Sequence, residues 1–392
     1  MVAKREALAR ARKSAGHTQE SVARELNVDP SSIQRWEAGT RTPYPYLRPK
    51  LAALLSISRE KLDALLMPPV ATPTTSEVTV PDDDGAERAA KAVRDGYRYF
   101  DGSVVQYFRS QLTACMADDG QQGPTKTLPA VLGLLRAIEQ QARDVRPSVR
   151  VELLSFGACG AEFAGWLYRD TNNPVLAAFW YDRAMEWAQE ACDLPLQGYV
   201  LLKKSQMAYD ERDALRVYTL IGAAEAGPWQ LPPKVRAEVT QQQARALAMI
   251  GEPLVEVERK LEQSRVWLTQ ATDVPSDSPL SSHYSAVSLT LQTASCYIEA
   301  GQPRRAAELY DETFGGHTLS RRDQGYFLAR RTSALALAGE PDDAAQVGLE
   351  AAQIATETGS LRTKRELRRA LQTLEPWRSR PGPKQLREAV RA

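Results

Sequence analysis

Apolar positions along this 392-residue chain recur three and four apart, and period-two runs of β-branched residues are nearly absent. That spacing predicts amphipathic helices and an all-α fold. Two regions differ in how their helices are punctuated. In residues 4–66 the helices are short. Leu8, Ala11 and Arg12 lie on a first helix ending near Ala15 and Gly16, and Thr18 is placed to cap a second, from Gln19 to Leu26. Asn27 fills a tight turn that requires positive φ. Asp29 and Pro30 then open a third helix that runs through Ala38 and stops at Gly39. The period turns Val22, Leu26, Ile33 and Trp36 inward and leaves Ser31, Ser32, Gln34 and Arg35 outward.

After about Glu87 the helical runs lengthen, and Gly, Pro or Asn turns separate them. Ala294, Tyr297, Gly301, Pro303 and Ala306 reappear in kind as Thr332, Leu335, Gly339, Pro341 and Ala344. Ala244, Leu247, Gly251 and Pro253 match the first half. Gly165, Tyr168, Asn172, Pro174, Ala177, Tyr181 and Ala184 match throughout, with Asn in place of the turn Gly. A degenerate copy lies between Tyr209 and Tyr218. This small–large–turn–Ala order predicts an array of helix hairpins, each burying its apolar face by stacking on the next. The pattern resembles the tetratricopeptide repeat, a helical array.

Between the two regions, residues 68–88 hold Pro68, Pro69, Pro73, Pro81 and the run Asp82-Asp83-Asp84, with no helical or strand period. They read as a flexible linker. The expected organisation is a compact head at 1–67, the linker at 68–88, a helical array at 89–376 and a basic tail at 377–392.

Charge sharpens the division. The whole chain carries a net charge of +1, yet residues 1–67 carry +5, 68–88 carry −4, 89–359 carry −7 and 360–392 carry +7. A basic head on an acidic body suits a polyanion at one end. The tail run Arg362, Lys364, Arg365, Arg368 and Arg369 reads as a polar cap on the last repeat, or as a source of extra DNA affinity. Cys115, Cys159, Cys192 and Cys296 form no CxxC pair and are expected as buried helical thiols. Trp166, Tyr168, Phe179, Trp180, Tyr181 and Trp187 fall at helical spacing and are expected mostly in the core. No apolar run approaches the length of a membrane span, and the expected location is the cytoplasm. No metal-ligand cluster, Gly-rich phosphate loop or nucleophile–base constellation is evident, so neither a cofactor nor an enzyme is expected.

The head has the form of a helix-turn-helix. Gly16, Thr18, Gln19, Val22, Ala23, Val28, Ile33, Glu37, Gly39 and Pro43 together resemble the phage-repressor-like (Xre, or Cro/C1-type) DNA-binding domain, a five-helix fold. Asn27 departs from its turn Gly, and Pro30 stands where a polar residue is common. The resemblance implies that Arg12 and Glu37 form a structural ion pair and that Trp36 is core. Gln34 and Arg35 are the expected base readers, since these side chains pair bidentately with adenine and guanine. Ser31 and Ser32 can reach a base edge or phosphate. Thr18 and Gln19 stand at a helix N-terminus that suits phosphate. Arg41, Tyr44, Tyr46 and Arg48, in the loop after Gly39 and just beyond it, are expected on the sugar-phosphate backbone. Head, linker and body together resemble actinobacterial transcriptional regulators, with the segments Ala117 to Pro124, Ala164 to Asp170 and Tyr199 to Ser205 carrying the likeness.

The expected function is sequence-specific transcriptional regulation by a homodimer on pseudo-palindromic double-stranded DNA. The body would dimerise and sense a peptide, small-molecule or protein effector. The alternative is an interaction adaptor, or an antitoxin-like partner, whose DNA binding is auxiliary. Counting back from the repeat turns places Gln242 and Gln243, Gln292 and Thr293, and Arg330 and Arg331 at equivalent positions, an expected effector column on the concave side. Peptide-sensing repressors commonly use Asn there, and Asn occurs in this chain only at 27, 172 and 173.

Overall fold

In the computed structural model, the described residues are 5–26, 28–39, 42–43, 47–66, 102–143, 145–273, 278–314 and 319–391, and every regular element among them is helical. The expected linker 68–88, Asn27, Arg41, Tyr44 and Tyr46 lie outside them. The chain divides into two compact units, Met1–Val80 and Pro81–Ala392.

The first unit forms where its capping chemistry directs. Helix α1 (Glu6–Ser14) runs into Gly16, whose φ of +78° reverses the chain. Thr18 Oγ1 accepts from the Ser21 amide at 3.1 Å and starts α2 (Gln19–Leu26). Asp29 accepts from the Ser31 amide at 2.8 Å, and Pro30 opens α3 (Pro30–Glu37), which Gly39 ends at φ +77°. Helices α4 (Arg48–Leu54) and α5 (Arg59–Leu66) bring the helices among the unit's described residues to five. Leu8, Val22, Leu26, Ile33, Trp36, Leu51 and Leu62 form its core.

Among the described residues, the first helices of the second unit are α6 (Gly102–Gln122) and α7 (Pro124–Gln141). Five hairpins follow: α8 (Pro147–Asp170) with α9 (Pro174–Glu190), α10 (Leu194–Asp210) with α11 (Ala214–Ala226), and α12 (Pro233–Ile250) with α13 (Leu254–Asp273). Then come α14 (Ala286–Glu299) with α15 (Pro303–Phe314), and α16 (Arg321–Ala338) with α17 (Pro341–Glu357). Each hairpin turns on one left-handed residue: Asn172, Arg212, Gly251, Gly301 and Gly339. The degenerate copy therefore keeps the turn geometry with an arginine at φ +63°, a conformation that L side chains adopt at a cost. Small residues let paired helices approach. A Cβ on Gly165 would stand 2.7 Å from the Tyr181 ring, which is fully buried.

The chain ends in α18 (Leu361–Thr373), a 3₁₀ turn (Glu375–Trp377) and α19 (Pro381–Arg391). The basic tail is a docked helix: Leu386 and Val390 are buried, and Leu386 fills the notch left by Gly348 on α17. Two other expectations change. Cys192 is exposed and sits in a left-handed turn rather than in a helix, and of the four thiols only Cys296 is fully buried. Tyr181 and Trp187 are core, whereas half of Phe179 is exposed.

The array curves until its ends meet. Helix α16 touches α6, and α18 touches α8. Ser360 Oγ donates to Asp170 at 2.7 Å, Arg365 donates to Asn172 at 2.9 Å, and Arg369 donates to the Asp210 carbonyl at 2.6 Å. The backbone at Thr358 packs against Gly123, at a distance no Cβ would permit. The run Arg362–Arg369 lies on a helix that packs on the last hairpin, with Arg368 exposed and Arg362, Arg365 and Arg369 turned to partners on other helices. Three of its arginines close the array.

Candidate functional site

The outward side of α3 is the first candidate. Ile33 and Trp36 anchor it at 3% and 5% exposure, which leaves Gln34 and Arg35 exposed and Ser31 and Ser32 half-buried on the other side. The scaffold beneath is fixed by one carboxylate. Glu37 accepts from Arg12 Nε at 2.6 Å and from Gln19 Nε2 at 2.7 Å, while Arg12 also donates to the His17 carbonyl at 2.8 Å. This triangle locks the end of α3 to the end of α1 and the start of α2. It commits one amide hydrogen of Gln19 to the fold and leaves the exposed Thr18 and the first α2 amides beside it. Arg48 is half-buried at the start of α4 and donates to the Pro43 carbonyl at 3.3 Å. Sequence reading placed Gln34, Arg35, Ser31, Ser32, Thr18 and Gln19 on one unit, and the structure puts Gln19 on α2, Thr18 at its cap and the other four on α3. Arg41, Tyr44 and Tyr46 are outside the described residues.

The inner face of the array is the second candidate, and sequence reasoning missed its main content. Asp210 pairs with Arg169, with Arg365 at 3.2 Å and with Arg362 at 3.9 Å. Burial alone would raise the Asp210 carboxyl, but Arg169 and Arg362 hold it far below the usual carboxylate range. Arg330 bridges Glu299 at 2.8 Å and Glu366 at 3.1 Å; Arg212 bridges the same two at 2.6 and 3.3 Å. Against the burial of Glu299, these two arginines and hydrogen bonds from Arg212 and Tyr209 bring its carboxyl down to about 2. Arg369 pairs with Glu366, and Arg322 with Asp119. Among the described residues, seven arginines (169, 212, 322, 330, 362, 365, 369) thus pair with four carboxylates (Asp119, Asp210, Glu299, Glu366), and Arg322 also lies 4.0 Å from Asp323. Nearby, Lys203 pairs with Glu238 at 3.1 Å. Burial dominates at Glu162, against the pull of Lys203, and pushes its carboxyl up to about 7.

The expected effector column divides in two. Gln242 and Arg330 are fully buried within the ionic network, and Gln292 accepts from Arg245 at its edge. The residues one position later look elsewhere. Gln243 accepts from Lys260 of α13 at 2.8 Å, Arg331 pairs with Asp311 of α15, and Thr293 lines a groove between α13 and α14 with Leu261, Leu268 and Leu289. Consecutive helical residues point about 100° apart, so a pair at one register cannot share a face. Of the six residues, the structure brings Gln242, Gln292 and Arg330 into one neighbourhood with Arg245 and Tyr209.

Among the described residues no group of three or more His, Cys, Asp or Glu is placed to hold a metal ion, and no helix is long and apolar enough to cross a membrane. Residues 8–62 match the family described as helix-turn-helix, and the N-terminal unit is accordingly a phage-repressor-like helix-turn-helix domain, a fold that supports DNA binding. No curated protein matches the chain. Among solved structures the chain is similar to a Rap protein crystallised in complex with competence and sporulation factor, at 13% identity, covering 95% of this chain and 89% of that one, with a TM-score of 0.45.

Proposed function

We propose that the protein is a sequence-specific, dimeric transcriptional regulator of the cytoplasm rather than an enzyme. Its head reads DNA, and its helical body dimerises and senses an effector or partner. The observation that carries the reading is α3. It is anchored by Ile33 and Trp36, clamped by Arg12–Glu37–Gln19, and turns an exposed Gln34 and Arg35 outward from a domain matching the helix-turn-helix family. On this reading Gln34 and Arg35 enter the major groove, with Ser31 and Ser32 at the helix start touching base edge or phosphate. Thr18, Gln19 and the α2 N-terminus hold one phosphate, and Arg41, Tyr44, Tyr46 and Arg48 contact the backbone.

The reading of a homodimer is supported by the body. Val175, Leu215 and Val255 each sit at the second position of the second helix of successive hairpins, and they are 77%, 71% and 66% exposed. Phe179 and Tyr218, about half exposed, are on the same helices. Such a periodic apolar row suits a second copy of the chain. Two heads joined in this way gain effective concentration on paired half-sites. Sedimentation of the full chain tests it. The expected result is a dimer that a charge placed in this row, such as Leu215→Glu, dissociates with loss of DNA affinity. A monomer that binds a palindrome as tightly as the parent would overturn it.

A further inference from the structure

The ionic network leaves one cation unmatched. Among the described residues, Arg212, Arg330, Arg322, Arg362, Arg365 and Arg369 each have a carboxylate partner, as does Arg169. Arg245 is only 3% exposed and has none. Its guanidinium donates to Gln242 Oε1 at 2.6 Å and to Gln292 Oε1, and it stacks on the Tyr209 ring at 4.4 Å. Arg212 and Arg330 stack on the same ring at 4.7 and 5.7 Å.

A buried guanidinium held by amide oxygens and an aromatic ring, with two like charges beside it, is costly to maintain. The donor count points the same way. Arg245 Nε and Arg330 Nε are both buried and have no acceptor. Gln292 turns its carbonyl oxygen to Arg245, which leaves its amide group as a further donor at a half-buried position. Arg212 keeps about a third of its side chain in solvent. Donors without acceptors, surplus positive charge and an edge open to water together define what fits: a compact group that carries negative charge and only accepts hydrogen bonds.

We propose that Arg245, Arg330 and Gln292, around Tyr209 on the inner face of the array, bind an oxyanion, the carboxylate or phosphate group of a small ligand. The planar fork of arginine matches either group bidentately. Glu299 and Glu366 already neutralise Arg212 and Arg330 in part, so the bound anion answers chiefly to Arg245. The site lies between α10, α12, α14 and α16. A ligand there ties three hairpins to the helix that closes the array.

The site stands on the body alone, so its test needs no DNA and its failure leaves the DNA-binding reading untouched. Thermal unfolding of the full chain is followed in inorganic phosphate and in acetate, against chloride at matched ionic strength. A rise of about 5 °C at saturating anion is expected for the parent. A rise with phosphate alone assigns the site to phosphate compounds, and with acetate alone to carboxylates. General salting effects on stability act equally on a variant, so the decisive quantity is the difference from Arg245→Met. That variant is expected to lose the increment. Gln292→Leu, at a half-buried position, serves if Arg245→Met fails to fold, and is expected to weaken binding about tenfold. No rise over chloride with either anion, or an undiminished rise in these variants, would overturn the proposal.

Discussion

Asp210→Asn removes one negative charge from the point where the two ends of the array meet. Arg365 and Arg362 have other partners: Arg365 donates to Asn172, and Arg362 lies over the rings of Tyr326 and Trp166. Arg169 does not escape so easily. Its side chain is 4% exposed, and its remaining acceptor is Gln206 Oε1 at 3.3 Å. Breaking a buried pair by removing one partner costs about 3–5 kcal/mol, because the other charge stays buried. For a unit of this size that corresponds to a melting temperature lower by about 6–15 °C. Removing both charges is milder. Arg169→Met in the Asp210→Asn background should recover about 2 kcal/mol or more, since no unpaired buried charge remains. Urea unfolding followed by circular dichroism measures all three variants. An Asp210→Asn protein within about 1 kcal/mol of the parent would refute the reasoning, and so would a double variant no more stable than the single one.

Three further outcomes follow from named contacts. Gly165→Ala is expected to destabilise by about 1–3 kcal/mol in denaturant titration, because its Cβ meets the fixed Tyr181 ring at 2.7 Å and outweighs the helical gain of alanine. Glu162→Gln is expected to be neutral near pH 4.5 and to gain about 3 kcal/mol of stability by pH 8: the folded carboxyl titrates at about 7, so the parent carries a burial penalty that grows as pH rises from 4.5 through 7. A benefit independent of pH would contradict it. In salt-dependent gel shifts, Arg35→Ala is expected to cost about 1–3 kcal/mol on the operator and to relax one base position, whereas Arg48→Ala weakens all sequences alike and flattens the salt slope by about one.

What the sequence made legible was local. Thr18, Asp29, Pro30 and the positive-φ glycines 16 and 39 fix helix ends through interactions with residues two or three away, and α2 and α3 begin where those residues stand. The repeat turns at Asn172, Gly251, Gly301 and Gly339 were readable for the same reason. The closure of the array was not. Arg212 and Glu366 are 154 positions apart, and Arg365 and Asn172 are 193 apart, so no window of sequence contains both members of a pair. A run of arginines looks the same whether it meets solvent, DNA or carboxylates from another repeat. The αL arginine at 212 shows a further limit: a position chosen for its backbone conformation also supplies a side chain to the network. The six expected effector residues show the same limit on a finer scale, because a register counted from the turns fixes height along the helix but not which of two neighbours meets the ionic network.

The central claim, that α3 reads DNA sequence, is tested most directly by selection of random double-stranded oligonucleotides with the full chain and with Arg35→Ala in parallel. The account predicts enrichment of a two-fold symmetric motif whose half-sites are centred about 10 base pairs apart, or a multiple of that spacing. Arg35→Ala should lose preference at one symmetric pair of positions and keep the rest. No enriched motif, or a motif unchanged by Arg35→Ala, would contradict it.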